Sequence, residues 1–305
     1  METRKVLITG ASGLIGGRLA ALLRERGDEI VGLVREGSTA DMPTRHWSPT
    51  TGNLEAPVVS GFDAVVHLAG ESIGEGRWTK AKKKRIYESR VQGTSVLCEA
   101  LARAPKRPEV LVSSSAVGYY GDRGDDILSE DSGEGSGFLA GVAGAWEEAT
   151  EPARSAGIAV VTPRVGPVLS TQGGALAKML PLFKLGLGGV VGSGNQYMSW
   201  IAIDDVARAL CHLIDNGTSL QGPINVAAPN PVTNRDFTHT LGRVIGRFTA
   251  IPLPAFAARL ALGEMADELL LISQRMSVQR LLDSGFAFEY PELQGALEHI
   301  IASER

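Results

Sequence analysis

Short apolar runs alternate with helical patterns through the first half of the chain. Val6–Thr9, Glu29–Val34, Ala64–Leu68 and Val110–Ser114 are built largely of aliphatic and β-branched residues and predict strands. Between them, Leu14–Arg26 and Lys80–Ala104 place apolar residues at helical spacing. Such alternation of strand and helix is the signature of a parallel sheet covered by its crossover helices. Further along, Gly144–Ser155 predicts a helix, Ala159–Arg164 a strand, Asp205–Asp215 a helix and Ile224–Ala227 a strand. The last third is different: Pro252, Pro254 and Gly263 punctuate helical segments, and no further strand alternation stands out.

The expected fold is therefore α/β, a Rossmann-type doubly wound parallel sheet with a smaller C-terminal α/β lobe. Residues 1–165 form the expected core, with crossings back into it near 200–228. Residues 166–305 form the second lobe, ending in a helical domain over 250–305. Leu169–Asn195 is rich in glycine and predicts loops near the cleft between the lobes.

Composition narrows the function. The 305 residues carry a net charge of −4, which argues against a nucleic-acid partner. The basic run Lys80-Ala81-Lys82-Lys83-Lys84-Arg85 reads as one solvated helix face. No apolar run reaches the roughly 18 residues of a membrane span. Met1-Glu2-Thr3-Arg4-Lys5 leads straight into the strand-like Val6-Leu7-Ile8 rather than a signal peptide, so the expected location is cytoplasmic. Cys98 and Cys211 sit in apolar contexts and read as reduced core residues. The five histidines are scattered, so no metal is expected. The expected partner is a small-molecule substrate, and the expected assembly a monomer or homodimer.

The clearest chemical signal is Thr9-Gly10-Ala11-Ser12-Gly13-Leu14-Ile15-Gly16, which follows a strand and opens a helix. Gly10 permits a tight turn, Gly13 lets backbone approach a pyrophosphate, and Gly16 allows close helix–strand packing. Ser12, Gly13, Leu14 and Ile15 bring unpaired amides and the positive end of the helix dipole to the same spot. The second strand ends at Val34 and Arg35 follows, where an NAD site usually has an acid and an NADP site an arginine. Glu36 comes next, so the assignment depends on which side chain turns inward. Arg35 points to NADP.

His67-Leu68-Ala69-Gly70, Ser113-Ser114-Ser115-Ala116-Val117 and Trp200-Ile201-Ala202-Ile203-Asp204-Asp205 join that turn in resembling the extended short-chain dehydrogenase/reductase, or epimerase/dehydratase, superfamily. Ala69-Gly70-Glu71, Arg77-Trp78, Ser89-Arg90, Gly118-Tyr119-Tyr120-Gly121, Trp146-Glu147 and Lys178-Met179-Leu180-Pro181 look like its atypical 39U branch, whose substrate is unassigned. Ser273-Gln274-Arg275 resembles part of that branch's terminal domain, of unknown role. The resemblance implies that Leu68 and Ala69 line the adenosine side of the cofactor, with Gly70 beside them. It also implies a cofactor contact for Arg90, where typical members carry asparagine.

Catalysis in the superfamily rests on a tyrosine followed four residues later by a lysine that lowers the phenol pKa. The chain has no such pair: Val91, Arg123, Gly124, Ile201 and Gln294 stand four residues after its five tyrosines. Ser115 does occupy the position of the superfamily's substrate-orienting serine. Tyr119 and Tyr120 follow the same strand end, where either could replace the missing acid or simply pack. Glu71 is a rival acid or base, and Trp78 and Trp200 are candidates for a pocket floor or for core. The expected function is that of an NADP-dependent oxidoreductase or epimerase-like enzyme, with a non-catalytic NADP(H) sensor as the alternative.

Overall fold

The computed structural model describes residues 3–49, 52 and 54–303. In chain order the strands are β1 (Lys5–Thr9), β2 (Glu29–Arg35), β3 (Thr44–Trp47), β4 (Ala64–His67), β5 (Val110–Ser113), β6 (Ser115–Ala116) and β7 (Ile127–Leu128). They continue with β8 (Ala159–Val165), β9 (Val168–Leu169), β10 (Tyr197–Met198), β11 (Ile201–Ala202), β12 (Gly222–Val226), β13 (Val232–Thr233) and β14 (Arg275–Met276). The helices of the core are α1 (Leu14–Glu25), α2 (Lys80–Ala102), α3 (Phe138–Glu148), α4 (Glu151–Ser155) and α6 (Ile203–Asn216). Between and after them come α5 (Gly174–Lys184), α7 (Asn234–Val244), α8 (Ala255–Leu262), α9 (Glu264–Leu269), α10 (Gln279–Asp283) and α11 (Leu293–Ala302).

The main sheet runs β12-β8-β5-β4-β1-β2-β3, every neighbouring pair parallel, with β6 also paired to β8. Alternate side chains of each strand face opposite helical layers. Val6 and Ile8 of β1 pack with Leu19 and Leu23 of α1 and with Leu210 and Leu213 of α6. Leu7, one residue out of phase, packs with Leu97 and Leu101 of α2 and with Ala153 of α4. Each such aliphatic side chain, fully buried, contributes about 1.5–3 kcal/mol. Burial on both faces is what makes these strands read as continuous apolar runs.

The second lobe has its own core of Leu176, Leu180, Phe183, Trp200, Phe237 and Leu297. Trp200 is thus a core residue, its indole nitrogen donating to the Asn230 carbonyl. The lobe is fastened to the sheet layers at the start of α6. There the buried Asp205 carboxylate accepts the amides of Glu289 and Tyr290 at 2.9 and 2.8 Å. Phe286 and Phe288 then pack into the α1/α6 side of the sheet. No helix among the described residues is long and apolar enough to cross a membrane.

Three expectations need correction. Leu169–Asn195 is not all loop, because α5 occupies Gly174–Lys184. Its glycines cluster at the helix ends, while Leu176, Leu180 and Phe183 supply the buried stripe. The helix expected over Gly144–Ser155 is two: α3 begins earlier, at Phe138, and Pro152 in the first turn of α4 marks a new start. The terminal segment is not purely helical, since β14 pairs in parallel with β7.

Candidate functional site

The turn between β1 and α1 is held by close backbone approaches that only glycine allows. Gly10 has φ +69°, and a Cβ there would stand 2.9 Å from backbone atoms of Leu68 and Ala69. A Cβ on Gly16 would meet the Gly10 carbonyl oxygen at 2.2 Å. Gly13 caps α1 without any side-chain acceptor, and no acid lies in the first turn. The amides of Leu14, Ile15 and Gly16 are therefore left without helical partners beside an exposed Ser12 and Gly13. This is an anion cradle that fits a dinucleotide pyrophosphate. Gly173 of the second lobe lies against it, where a Cβ would be 3.6 Å from the Leu14 side chain.

The neighbouring strand ends are fixed from below. Thr9 Oγ1 accepts the amides of both Leu68 and Ala69 at 3.1 Å. Its own proton then goes to His67 Nδ1, 2.7 Å away, and His67 Nε2 donates to Thr94 Oγ1 at 3.0 Å. The imidazole is neutral: burial, with Arg90 nearby, lowers its pKa to about 4. Leu68 and Ala69 are half-buried at the rim of the glycine turn, and Gly70 beyond them is exposed.

Arg90 turns inward from α2. It donates to the Glu71 carbonyl at 3.0 Å, faces the Trp146 ring at 5.1 Å, and would lie 3.3 Å from a Cβ on Gly70. Burial brings its pKa down to about 10, which leaves it a cation at neutral pH. It is no surface partner of Glu88, which pairs with Lys84 instead. Arg35 ends β2, two residues beyond the point where Leu33 pairs with Thr9. Arg35 and Glu36 are both exposed, and Arg35 has no intramolecular ion pair among the described residues.

The candidate catalytic residues divide sharply. Ser115, 3 % exposed, donates to Glu147 Oε1 at 2.6 Å. Arg164, at the end of β8, grips both oxygens of Glu147, at 2.8 and 2.9 Å. Burial works against the Arg164 charge, but the bonds to Glu147 outweigh it and raise its pKa. Tyr120 is fully buried; its hydroxyl accepts from Arg164 and donates to Asn225 Oδ1. Burial pushes this phenol up to about 12. Tyr119 is half-buried with its ring 3.5 Å from the Arg164 guanidinium carbon, and it has no hydroxyl hydrogen bond among the described residues. Glu71 is held below the usual carboxylate range by its hydrogen bond from Lys82, burial opposing, with Arg85 adding to the effect.

Sequence reasoning missed the Glu147–Arg164 pair, although an arginine ending an otherwise apolar strand does signal a buried partner. It also missed how the cleft is walled. Lys178 of α5 donates to the Gly74 carbonyl, Arg77 to that of Leu260, and Lys83 pairs with Glu264. Trp78 stands edge-on to Phe138, 5.4 Å away, in the same wall. A separate polar cavity of about 550 Å³ around Arg26, Asp28, Asp63 and Asp215 lies at the opposite edge of the sheet, away from the glycine turn.

Residues 6–227, most of the chain, match the NAD dependent epimerase/dehydratase family. The chain belongs to that family. Residues 253–300 match a domain of unknown function, DUF1731. An epimerase family protein of Mycobacterium leprae is 42 % identical over 294 residues, covering 96 % of this chain and 94 % of its own. Human epimerase family protein SDR39U1 is 36 % identical, covering 98 % and 100 %. The crystal structure of human SDR39U1 (isoform 2) with NADPH superposes with a TM-score of 0.89 at 33 % identity, covering 98 % of this chain and 99 % of that one. A nucleoside-diphosphate sugar epimerase from Corynebacterium glutamicum gives 0.80 at 36 % identity, over 99 % of this chain and 59 % of that one. The human relative was crystallised with a dinucleotide, and the residues of the glycine turn fit one here.

Proposed function

We propose that the chain is an NADP(H)-binding oxidoreductase or epimerase-like enzyme. The observation that carries this reading is Arg35, exposed and unpaired one strand across from the glycine turn. In this reading the amides of Leu14, Ile15 and Gly16, with Ser12 beside them, hold the pyrophosphate, and Arg35 meets the 2′-phosphate. Leu68, Ala69 and Gly70 flank the adenosine, and Arg90 adds positive charge at their far side. The human relative crystallised with NADPH supports the choice of dinucleotide.

The bound cofactor would supply hydride transfer, while the chain's residues orient the substrate and manage its proton. Ser115 and Tyr119 are the groups proposed for that work. Tyr120 is assigned to structure, because both hydrogen-bonding directions of its buried hydroxyl are already used. Glu71, ionised between Lys82 and Arg85, is assigned to holding the loop after β4.

One observation favours the second reading, a non-catalytic NADP(H) sensor: α3, Phe-Leu-Ala-Gly-Val-Ala-Gly-Ala-Trp-Glu-Glu, contains neither tyrosine nor lysine. NADPH consumption across carbonyl and enone substrates, and NADP reduction across the matching secondary alcohols, separate the two, with Ser115→Ala, Tyr119→Phe and Tyr120→Phe beside the parent. Loss of the acid should cost about 10²- to 10⁴-fold. Tight NADPH binding with no turnover on any substrate would favour the sensor.

A further inference from the structure

The protons that set the direction of the polar chain behind Ser115 can be placed. Asn225 Nδ2 donates to the carbonyls of Leu128 and Ser277 at 3.0 and 2.8 Å, which fixes its amide with Oδ1 towards Tyr120. Tyr120 gives its proton to that oxygen at 2.6 Å, so it can only accept from Arg164. Arg164 has no acceptor capacity and directs two nitrogens at Glu147. A carboxylate gripped in this way offers only lone pairs. The 2.6 Å contact between Ser115 and Glu147 therefore forms in one direction, with the serine as donor.

A serine hydroxyl has a single proton and two acceptor positions. Once the proton is given to Glu147, the outward side of Oγ can only accept. No rearrangement within the network returns the proton, because Arg164 cannot accept one and the carboxylate it grips has none to give. Ser115 is 3 % exposed, so little of it is open to a ligand.

We infer that Glu147 is a specificity-determining, positioning residue that makes Ser115 an acceptor-only group. The cleft then takes a ligand that presents a hydroxyl or amine hydrogen to Ser115, in preference to a carbonyl oxygen. This rests on the proposed function, in which Ser115 lines the substrate side of the cofactor site. A bound secondary alcohol satisfies Ser115, whereas the matching ketone sets two lone-pair-bearing oxygens against each other.

The test uses the full-length protein with NADPH and the matched probes cyclohexanol and cyclohexanone, their affinities measured by ligand-observed NMR. Cyclohexanol should bind about 2- to 10-fold tighter, the range of one neutral hydrogen bond. Ser115→Ala should erase the ratio. Glu147→Leu combined with Arg164→Met removes the serine's acceptor without stranding a buried cation, and frees the serine proton for the cleft, so the ratio should fall to one or invert while NADPH affinity holds. Neutron diffraction on the parent protein, which needs no probe, should find the Ser115 deuteron on the line to Glu147. A deuteron directed at the cleft, or a ketone preference that depends on Ser115, overturns the inference. A ratio that survives Ser115→Ala instead removes Ser115 from the site and so contradicts the functional reading beneath it. A ratio erased by Ser115→Ala but untouched by the Glu147→Leu, Arg164→Met pair overturns only the role given to Glu147.

Discussion

The Glu268 carboxylate accepts the amide of Phe138 at 2.9 Å, so a residue of the C-terminal segment caps α3. Its second oxygen takes the next amide, Leu139, at 3.1 Å. Gly137 has φ +116° and leaves room for this approach, since a Cβ there would meet Glu268 Oε1 at 2.6 Å. The N-terminus of α3 is thus held by the second lobe.

Replacing that carboxylate should loosen both elements together. Glu268→Ala strips two amides of their acceptor and removes a negative charge from a helix N-terminus. A loss of about 1–2 kcal/mol is expected in urea unfolding, with Glu268→Gln intermediate. An unchanged midpoint for both variants would show the contact to be energetically silent.

His67 makes stability depend on pH. Its folded pKa is lowered to about 4, whereas an unfolded histidine titrates near 6.5. Between those values the unfolded chain binds a proton that the folded chain refuses, so stability rises with pH across the window. The contribution is fully present above about 6.5 and is lost as pH falls towards 4, reaching about 3 kcal/mol. Thermal unfolding between pH 7 and 4.5 measures it, and His67→Gln should flatten the slope. Parallel curves for parent and variant would exclude His67 as the source.

Much of the cofactor side was legible because two periodicities were strong. The glycine turn sits between a buried β1 and an amphipathic α1, and its spacing encodes the close approaches of Gly10 and Gly16. The edge strand β3 escaped notice because Thr-Arg-His-Trp is short and mostly polar. Tyr119 and Tyr120 were indistinguishable in sequence; only folding shows that one hydroxyl is closed off between Arg164 and Asn225, far apart in the chain but paired across β8 and β12. Ser273-Gln274 stood out in sequence by resemblance alone, with no sign that it is buried. Gln274 satisfies the carbonyls of Val117 and Gly121, residues more than a hundred positions earlier in the chain.

The attachment of the lobes should be strong. Asp205→Ala leaves the amides of Glu289 and Tyr290 without their buried acceptor, and a loss of about 2–5 kcal/mol is expected from urea unfolding. Deleting the residues after Gly263 exposes the apolar surface that Phe286 and Phe288 cover, and aggregation should follow. A soluble truncation that melts at the parent's temperature would show the segment to be dispensable.

Equilibrium titration of NADPH and NADH into the same preparation, repeated with Arg35→Ala, tests the proposed cofactor most directly. A charge-assisted contact from Arg35 to the 2′-phosphate should favour NADPH by about 10- to 100-fold. Arg35→Ala should remove most of that preference and leave the melting temperature in place, because the side chain is exposed at a strand end. Equal affinities in the parent protein, or tighter binding of NADH, would contradict the assignment.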